Sequence, residues 1–310
     1  MKISFWSESQ IAGKIQRDFE NARTEYGWMI ALDAQHHNLT TLPLFHHIEH
    51  YDLGIVIIPK NNPNVDLTKV KRVCDKVAVM QEGPAQYFTD YSLENQIHFY
   101  NNLVEADLLF CHNESDVSFY KGLTDKPVYV MSSLMILDSV SNLPKVNRSG
   151  VIVGGNFCAW YNGFISYLQS LNFKEEIYLP SMGRKIENEE QMDGIQHLPY
   201  MTWVEWIKKL NNFKYAIHLM PTVAAGTFSL NCAYLKIPCI SNEKLDTQRI
   251  CFPELSVDVN DLETVNNLVV RLRDDKDFYN ECSETAHDNY MKHYTEEVFL
   301  EHMNKVFGSL

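Results

Sequence analysis

Short apolar runs rich in Val, Ile, Leu and Phe alternate along this chain with longer stretches of helical periodicity. In the first half, Ile3–Trp6, Gly54–Ile58, Val77–Met80, Leu108–Cys111 and Val128–Met131 predict strands. Helices are expected between them at about Gln10–Leu32, Leu67–Cys74, Ser92–Ala106 and Glu114–Lys121, the last with Asn113 and Asp116 as a capping pair. The polar stretch LPKVNRS at 143–149 breaks the pattern, and a second series opens with a strand at Val151–Val153. It continues through a helix near Gly163–Leu171, a strand at Ile177–Leu179, a helix at Trp203–Leu210 and a strand at Tyr215–Leu219. A helix at Phe228–Tyr234 and a strand at Pro238–Ile240 follow, and the remainder is largely helical. Strand–helix alternation of this kind predicts parallel sheets covered on both faces, hence an α/β chain of two domains, 1–148 and 149–290. Two such domains are expected to face each other across a cleft at the carboxyl ends of their strands. Residues 291–310 form a last helix, with Thr295 as N-cap and Val298, Leu300, Met303 and Phe307 on its apolar positions.

Composition narrows the class. Of 310 residues, 45% are hydrophobic and 12% aromatic, with only 13 Gly and 11 Pro, which excludes disordered and fibrous chains. No uncharged apolar run reaches the ~18–20 residues a membrane span needs, and no signal-peptide pattern precedes the first strand, so a cytoplasmic protein is expected, of a cell or of an infected host. The 7 cysteines are scattered and never spaced C-x-x-C, which predicts buried free thiols. A net charge of −13, shared between the halves, means that any polyanion must be met by a local patch.

The most informative stretch runs from Met220 to Lys244, MPTVAAGTFSLNCAYLKIPCISNEK. An apolar strand leads through Pro221-Thr222 into a small-residue loop with Gly226, and Thr227 and Ser229 open a helix. Free backbone N–H groups, the positive end of a helix dipole and two hydroxyls together suit a phosphate, although an ordinary capped turn accounts for the same letters. The segment resembles the donor-binding motif of retaining, two-Rossmann (GT-B) glycosyltransferases of the glycogen-synthase-like kind. Pro221, Thr222, Gly226, Leu230 and Pro238-Cys239-Ile240 fall in matching places, and the helix with Trp203, Trp206 and Leu210 and the strand ending in His218 match the segment before it. The resemblance covers about residues 149–300 and is architectural over 1–148. It implies a nucleoside-diphosphate sugar as co-substrate, no resident cofactor and no metal. It also implies that Gly154-Gly155-Asn156 approach the donor phosphates, that Arg184 and Lys185 neutralise them, and that the last helix returns to the first domain. The family's two glutamates fall on Val223 and Asn231; Asn231 retains hydrogen-bonding capacity for a ribose, Glu243 is a substitute for that role, and Val223 replaces nothing.

In the first domain, Glu8 ends strand one and Lys14, Arg17, Asn21 and Arg23 follow on an expected helix, with Arg17 and Asn21 sharing a face. These five are candidate acceptor-binding residues, with a solvated charged face as the alternative. Glu82 and His112 each follow an apolar strand and are the candidate catalytic groups, Glu82 preferred as the base for an acceptor hydroxyl. His36-His37, His46-His47 and His50 crowd within fifteen residues, and His46 and His50 have metal-sharing spacing, but exposed histidines are the favoured reading over zinc.

The expected activity is therefore transfer of a sugar from a nucleoside diphosphate to a hydroxyl of a soluble acceptor. Candidates are a glycan or, as in compact phage enzymes of similar architecture, a hydroxymethylated base in DNA. A catalytically silent nucleotide- or sugar-binding protein and a nucleotide-sugar epimerase are the alternatives.

Overall fold

The structure, a computed structural model, describes residues 1–39, 49–59, 63–81, 83–181 and 185–310. It separates into two compact units, one of residues 1–19, 24–136 and 296–310, the other of 20–23 and 137–295.

The first unit holds a seven-stranded sheet of β1 (Ile3–Ser7), β2 (Gly13–Lys14), β3 (Gln35–Asn38), β4 (Tyr51–Ile58), β5 (Cys74–Gln81), β6 (Leu108–Cys111) and β7 (Val128–Val130). The order is β2-β3-β1-β4-β5-β6-β7, parallel except where β2 pairs with β3. The middles of the central strands are apolar and buried because both faces are covered, and Phe5, Ile55 and Ala78 stand in one row of the register. The helices are α1 (Thr24–Ala31), α2 (Leu67–Lys71), α3 (Leu93–Glu105) and α4 (Glu114–Lys121). The expected cap of α4 is present: the Asp116 carboxylate accepts the Asn113 backbone N–H at 3.1 Å.

Two expectations fail here, both through strand pairing. The helix expected over Gln10–Leu32 exists only from Thr24. Before it, Gly13 takes φ +87° and β2 pairs with β3, so Arg17 and Asn21 lie in turns and share no helix face. The polar strand β3, QHHN, carries no apolar alternation and was not predicted. It is held by pairing with β1, and its His36 is fully buried rather than exposed.

The second unit holds β8 (Val151–Val153), β9 (Ile177–Leu179), β10 (Gln196–His197), β11 (Tyr215–His218), β12 (Cys239–Asn242) and β13 (Ser256–Val257), all parallel, in the order β10-β9-β8-β11-β12-β13. Numbered within the unit this is 3-2-1-4-5-6, the doubly wound Rossmann order, whose switch point lies between β8 and β11. The helices are α5 (Gly163–Ser170), α6 (Trp203–Leu210), α7 (Thr227–Tyr234), α8 (Asp246–Cys251), α9 (Leu262–Asp274) and α10 (Lys276–His293). A reciprocal cap starts α6, with Thr202 N–H donating to the Glu205 carboxylate at 2.8 Å and Glu205 N–H to the Thr202 hydroxyl at 3.3 Å. Arg148 binds the carbonyls of Asn211 at 3.1 Å and Lys236 at 3.0 Å, so one cation serves the C-terminal ends of both α6 and α7.

The last helix, α11 (Glu296–Gly308), is counted with the first unit. It buries Phe299, Met303 and Val306, of which only Met303 was among the expected apolar positions, and its His302 ring bonds the Val130 carbonyl at 2.9 Å. All seven cysteines are free thiols, six of them buried. No helix among the described residues is long and apolar enough to cross a membrane.

Candidate functional site

The switch point of the second sheet is built from the ends of β8 and β11 and the first turn of α7. Parallel strands leave their carboxyl ends unpaired, so the chain there must satisfy its backbone otherwise. It does so with side chains. The carbonyls of His218, Leu219 and Met220 accept from Ser241 Oγ at 2.7 Å, Asn162 Nδ2 at 3.2 Å and Asn242 Nδ2 at 3.0 Å. Leu219 N–H donates to Ser166 Oγ at 2.9 Å, and Thr222 donates its hydroxyl to the Trp160 carbonyl at 3.0 Å. The loops after β8, β11 and β12 are thus laced into one rigid rim.

On that rim, Gly226 is the N-cap of α7, in the left-handed region at φ +69° and with no side chain capping the helix. The Thr247 hydroxyl donates to the Gly226 carbonyl at 2.8 Å, and a Cβ on Gly226 would stand 2.1 Å from that hydroxyl oxygen, so both conformation and space require glycine. Among the described residues no side chain caps the first N–H groups of α7, which lie at the positive end of the helix. Ser229, in this first turn, is buried, and its Oγ has no partner among the described residues. Such an atom costs free energy unless something completes its hydrogen bonding.

The Gly154-Gly155-Asn156 turn leaves β8 beside this helix. A Cβ on Gly154 would lie 2.3 Å from Cγ of His218, so the backbone approaches the ring as only glycine allows. Asn156 is fully buried, and its carbonyl accepts from Gly163 N–H at 2.9 Å at the start of α5. His218 itself is buried with Nε2 unpartnered among the described residues, and burial alone lowers its imidazole to about 4.

The other expected donor residues divide. Asn231 is buried in α7, and Glu243 is exposed after β12. Lys185 is exposed and engaged by Glu190, which raises its ammonium above the ordinary value, while Arg184 lies outside the described residues. Sequence reasoning missed Glu189, a buried carboxylate that accepts from Phe157 N–H at 3.2 Å and Ile186 N–H at 3.1 Å and so ties the β8 loop to the segment after β9. It also used His218 only as the end of a strand. The signal was a lone polar residue inside the apolar run YAIHLMP.

In the first unit, Glu8 is exposed after β1, Lys14 pairs with Asp33, and Arg17 makes a two-pronged bond to Glu296 at 2.8 and 2.7 Å. Asn21 and Arg23 belong to the second unit: Asn21 Oδ1 accepts from Trp203 N–H at 3.2 Å, and Arg23 donates to the Met201 carbonyl. The five candidate acceptor residues are therefore not gathered on one helix face. Glu82 lies outside the described residues. His112 is buried at the end of β6 and stacks on Trp28 at 5.7 Å.

The histidine cluster separates as well. His36 bonds Ser7 Oγ at 2.8 Å and the Ile11 carbonyl, His37 stacks on Trp6 at 4.4 Å, and His50 pairs with Asp75 at 2.8 Å. His46 and His47 lie outside the described residues. Among the described residues no three His, Cys, Asp or Glu side chains gather as a metal-binding set.

No protein-family model matches the chain, and no curated protein matches it in sequence. Solved structures do share its fold. Sucrose-phosphate synthase from Thermosynechococcus elongatus aligns with a TM-score of 0.72 at 10% identity, over 100% of this chain and 99% of that one. Anabaena Alr3699/HepE in complex with UDP-glucose gives 0.71 at 10% identity over 100% of both chains. An alpha-glucosyltransferase in complex with UDP-glucose and DNA containing an abasic site gives 0.60 at 13% identity over 98% of both. S. aureus TarM matches at 0.63 and 11% identity over 82% of this chain, which spans about half, 55%, of TarM's length. At these identities the likeness establishes the architecture, two mainly parallel Rossmann-like sheets of the GT-B glycosyltransferase fold.

Proposed function

We propose that the protein is a nucleotide-sugar-dependent glycosyltransferase whose second unit binds the donor, with the diphosphate seated on the first turn of α7. The observation that carries this reading is the uncapped helix start at Gly226, with the unpartnered Ser229 hydroxyl in its first turn, at the switch point of a doubly wound sheet. Fixed N–H donors and a hydroxyl stabilise charge developing on a departing nucleoside diphosphate without reorganising, which is how such a rim lowers a transfer barrier. Gly154-Gly155 brings backbone close to the same phosphates, and Asn231 and Glu243 are the groups offered to the ribose. The acceptor is a soluble hydroxyl compound received by the first unit, and no resident cofactor or metal takes part. The bound UDP-glucose of the Anabaena structure and of the alpha-glucosyltransferase supports a sugar nucleotide as the donor class.

Isothermal titration against UDP-, GDP- and ADP-sugars tests the reading: micromolar binding of one of them is expected, with its loss in Gly226→Val. Silence from all three overturns it. DNA as the acceptor is tested by the salt dependence of binding. Lys14, Arg17 and Arg23 are already engaged by Asp33, Glu296 and Met201, which favours a non-DNA acceptor. A second reading, binding without turnover, is favoured by Val223 and Asn231, both buried where the resembling enzymes carry carboxylates. Donor hydrolysis or transfer at any measurable rate decides against it.

A further inference from the structure

The His218 ring lies between the two arms of the proposed phosphate cradle. The Gly154 backbone covers one side of it, and the Phe228 ring in the first turn of α7 meets it edge-on, centroids 5.1 Å apart. Tyr161, from the loop after β8, lies 6.4 Å away, and Ser241 of β12 engages only the backbone carbonyl. Tyr161 is the one titratable side chain in this set, and neither a carboxylate nor a cation belongs to it. The imidazole is thus buried, uncharged and short of a partner at Nε2, in the place where a helix N-terminus and a glycine turn invite an anion.

We propose that His218 couples ligand binding to proton uptake: seating of a sugar nucleotide's diphosphate on α7 draws one proton from solvent onto the imidazole, which becomes the buried counter-charge of the ligand. This rests on the diphosphate reading above. The physical cause is that burial alone keeps the empty site's imidazole neutral, whereas a neighbouring anion favours the charged form. The coupling is electrostatic and requires no bond between ring and phosphate, although the charged Nε2–H gains an acceptor if one comes within reach. By linkage, affinity then rises as pH falls.

The test uses the full chain and UDP-, GDP- and ADP-glucose, whose diphosphate diesters do not titrate between pH 5.5 and 8. Titration calorimetry in two buffers of different ionisation heat reads proton uptake directly. For the sugar nucleotide that binds, affinity about tenfold higher at pH 5.5 than at pH 7.5 is expected, with uptake approaching one proton at the acid end. His218→Gln, which keeps a polar side chain and cannot titrate, flattens that dependence. Histidine ¹³C resonances add a readout of the parent protein, in which His218 stays neutral when free and charges on saturation at pH 5.5. Binding with no proton uptake, or a slope that survives in His218→Gln, overturns this inference and leaves the donor site standing. Silence from all three sugar nucleotides overturns both.

Discussion

Two buried histidines, one in each sheet, show how differently the same side chain is used. His36 of β3, beside the exit of β1, is completely buried and has a partner at each ring nitrogen, Ser7 Oγ and the Ile11 carbonyl. The Ser7 oxygen in turn accepts from Ser9 N–H at 3.2 Å, so the ring is one link in a closed network that shapes the loop after β1. His218 at the exit of β11 is nearly as buried, yet its Nε2 has no hydrogen-bond partner among the described residues, while every backbone carbonyl from 218 to 220 is occupied. A histidine with both ring nitrogens satisfied is structural; one buried with a ring nitrogen unpartnered among the described residues calls for a further explanation.

The largest effect expected to sharpen this contrast is steric. Gly154→Ala drives a methyl to within 2.3 Å of Cγ and 2.5 Å of Cβ of His218 and is expected to cost about 3 kcal/mol in urea unfolding, part of it recovered in the Gly154→Ala/His218→Gly double variant, which removes both atoms. Independent, additive losses would break the claim that turn and ring are packed against each other. Next come the two isosteric swaps. His36→Phe strands the Ser7 hydroxyl and the Ile11 carbonyl and is expected to cost roughly 2–4 kcal/mol, whereas His218→Phe removes an unpaired polar atom and is expected to be neutral or stabilising by up to about 1 kcal/mol. Equal losses at both positions would erase the distinction.

The pH dependence of the ligand-free protein is smaller. Burial lowers the His36 imidazole and brings that of His218 to about 4, against 6.5 unfolded, so the unfolded chain binds more protons between these values. The stabilising share is complete above about pH 6.5 and is lost as pH falls toward 4. For His218 this amounts to about 2 kcal/mol between pH 7 and pH 5, and the slope in His218→Phe should be correspondingly shallower. An unchanged slope would mean that the ring is charged in the empty site. The smallest effect is expected at Arg17→Ala. Its bond to Glu296 is two-pronged, but the arginine side chain is 48% exposed, so about 0.5 kcal/mol is expected in thermal unfolding.

Much of this molecule was legible as a one-dimensional pattern. Central parallel strands such as Val151–Val153 and Tyr215–His218 are apolar on both faces, and capped helices such as α4 and α6 announce themselves through Asn113/Asp116 and Thr202/Glu205. The turn that opens α7 was legible too, because Gly226 and Ser229 are local features of one strand–turn–helix. What failed was non-local. β3 is polar and is a strand only because β1 pairs with it; the helix expected from Gln10 gives way because β2 pairs with β3.

The sequence by itself thus determined the class of fold, two series of strand and helix, and the glycine loop that opens α7, because both depend on neighbours along the chain. Only the tertiary structure decided which residues share that loop's surroundings. The Cγ of His218 would lie 2.3 Å from a Cβ on Gly154, sixty-four positions earlier, and Asn21 and Arg23 bond the backbone at and just before the start of α6. The reason is that hydrogen-bond satisfaction is a property of three-dimensional neighbourhoods: whether a histidine is a finished strut or an open contact depends on what the other strands bring to it.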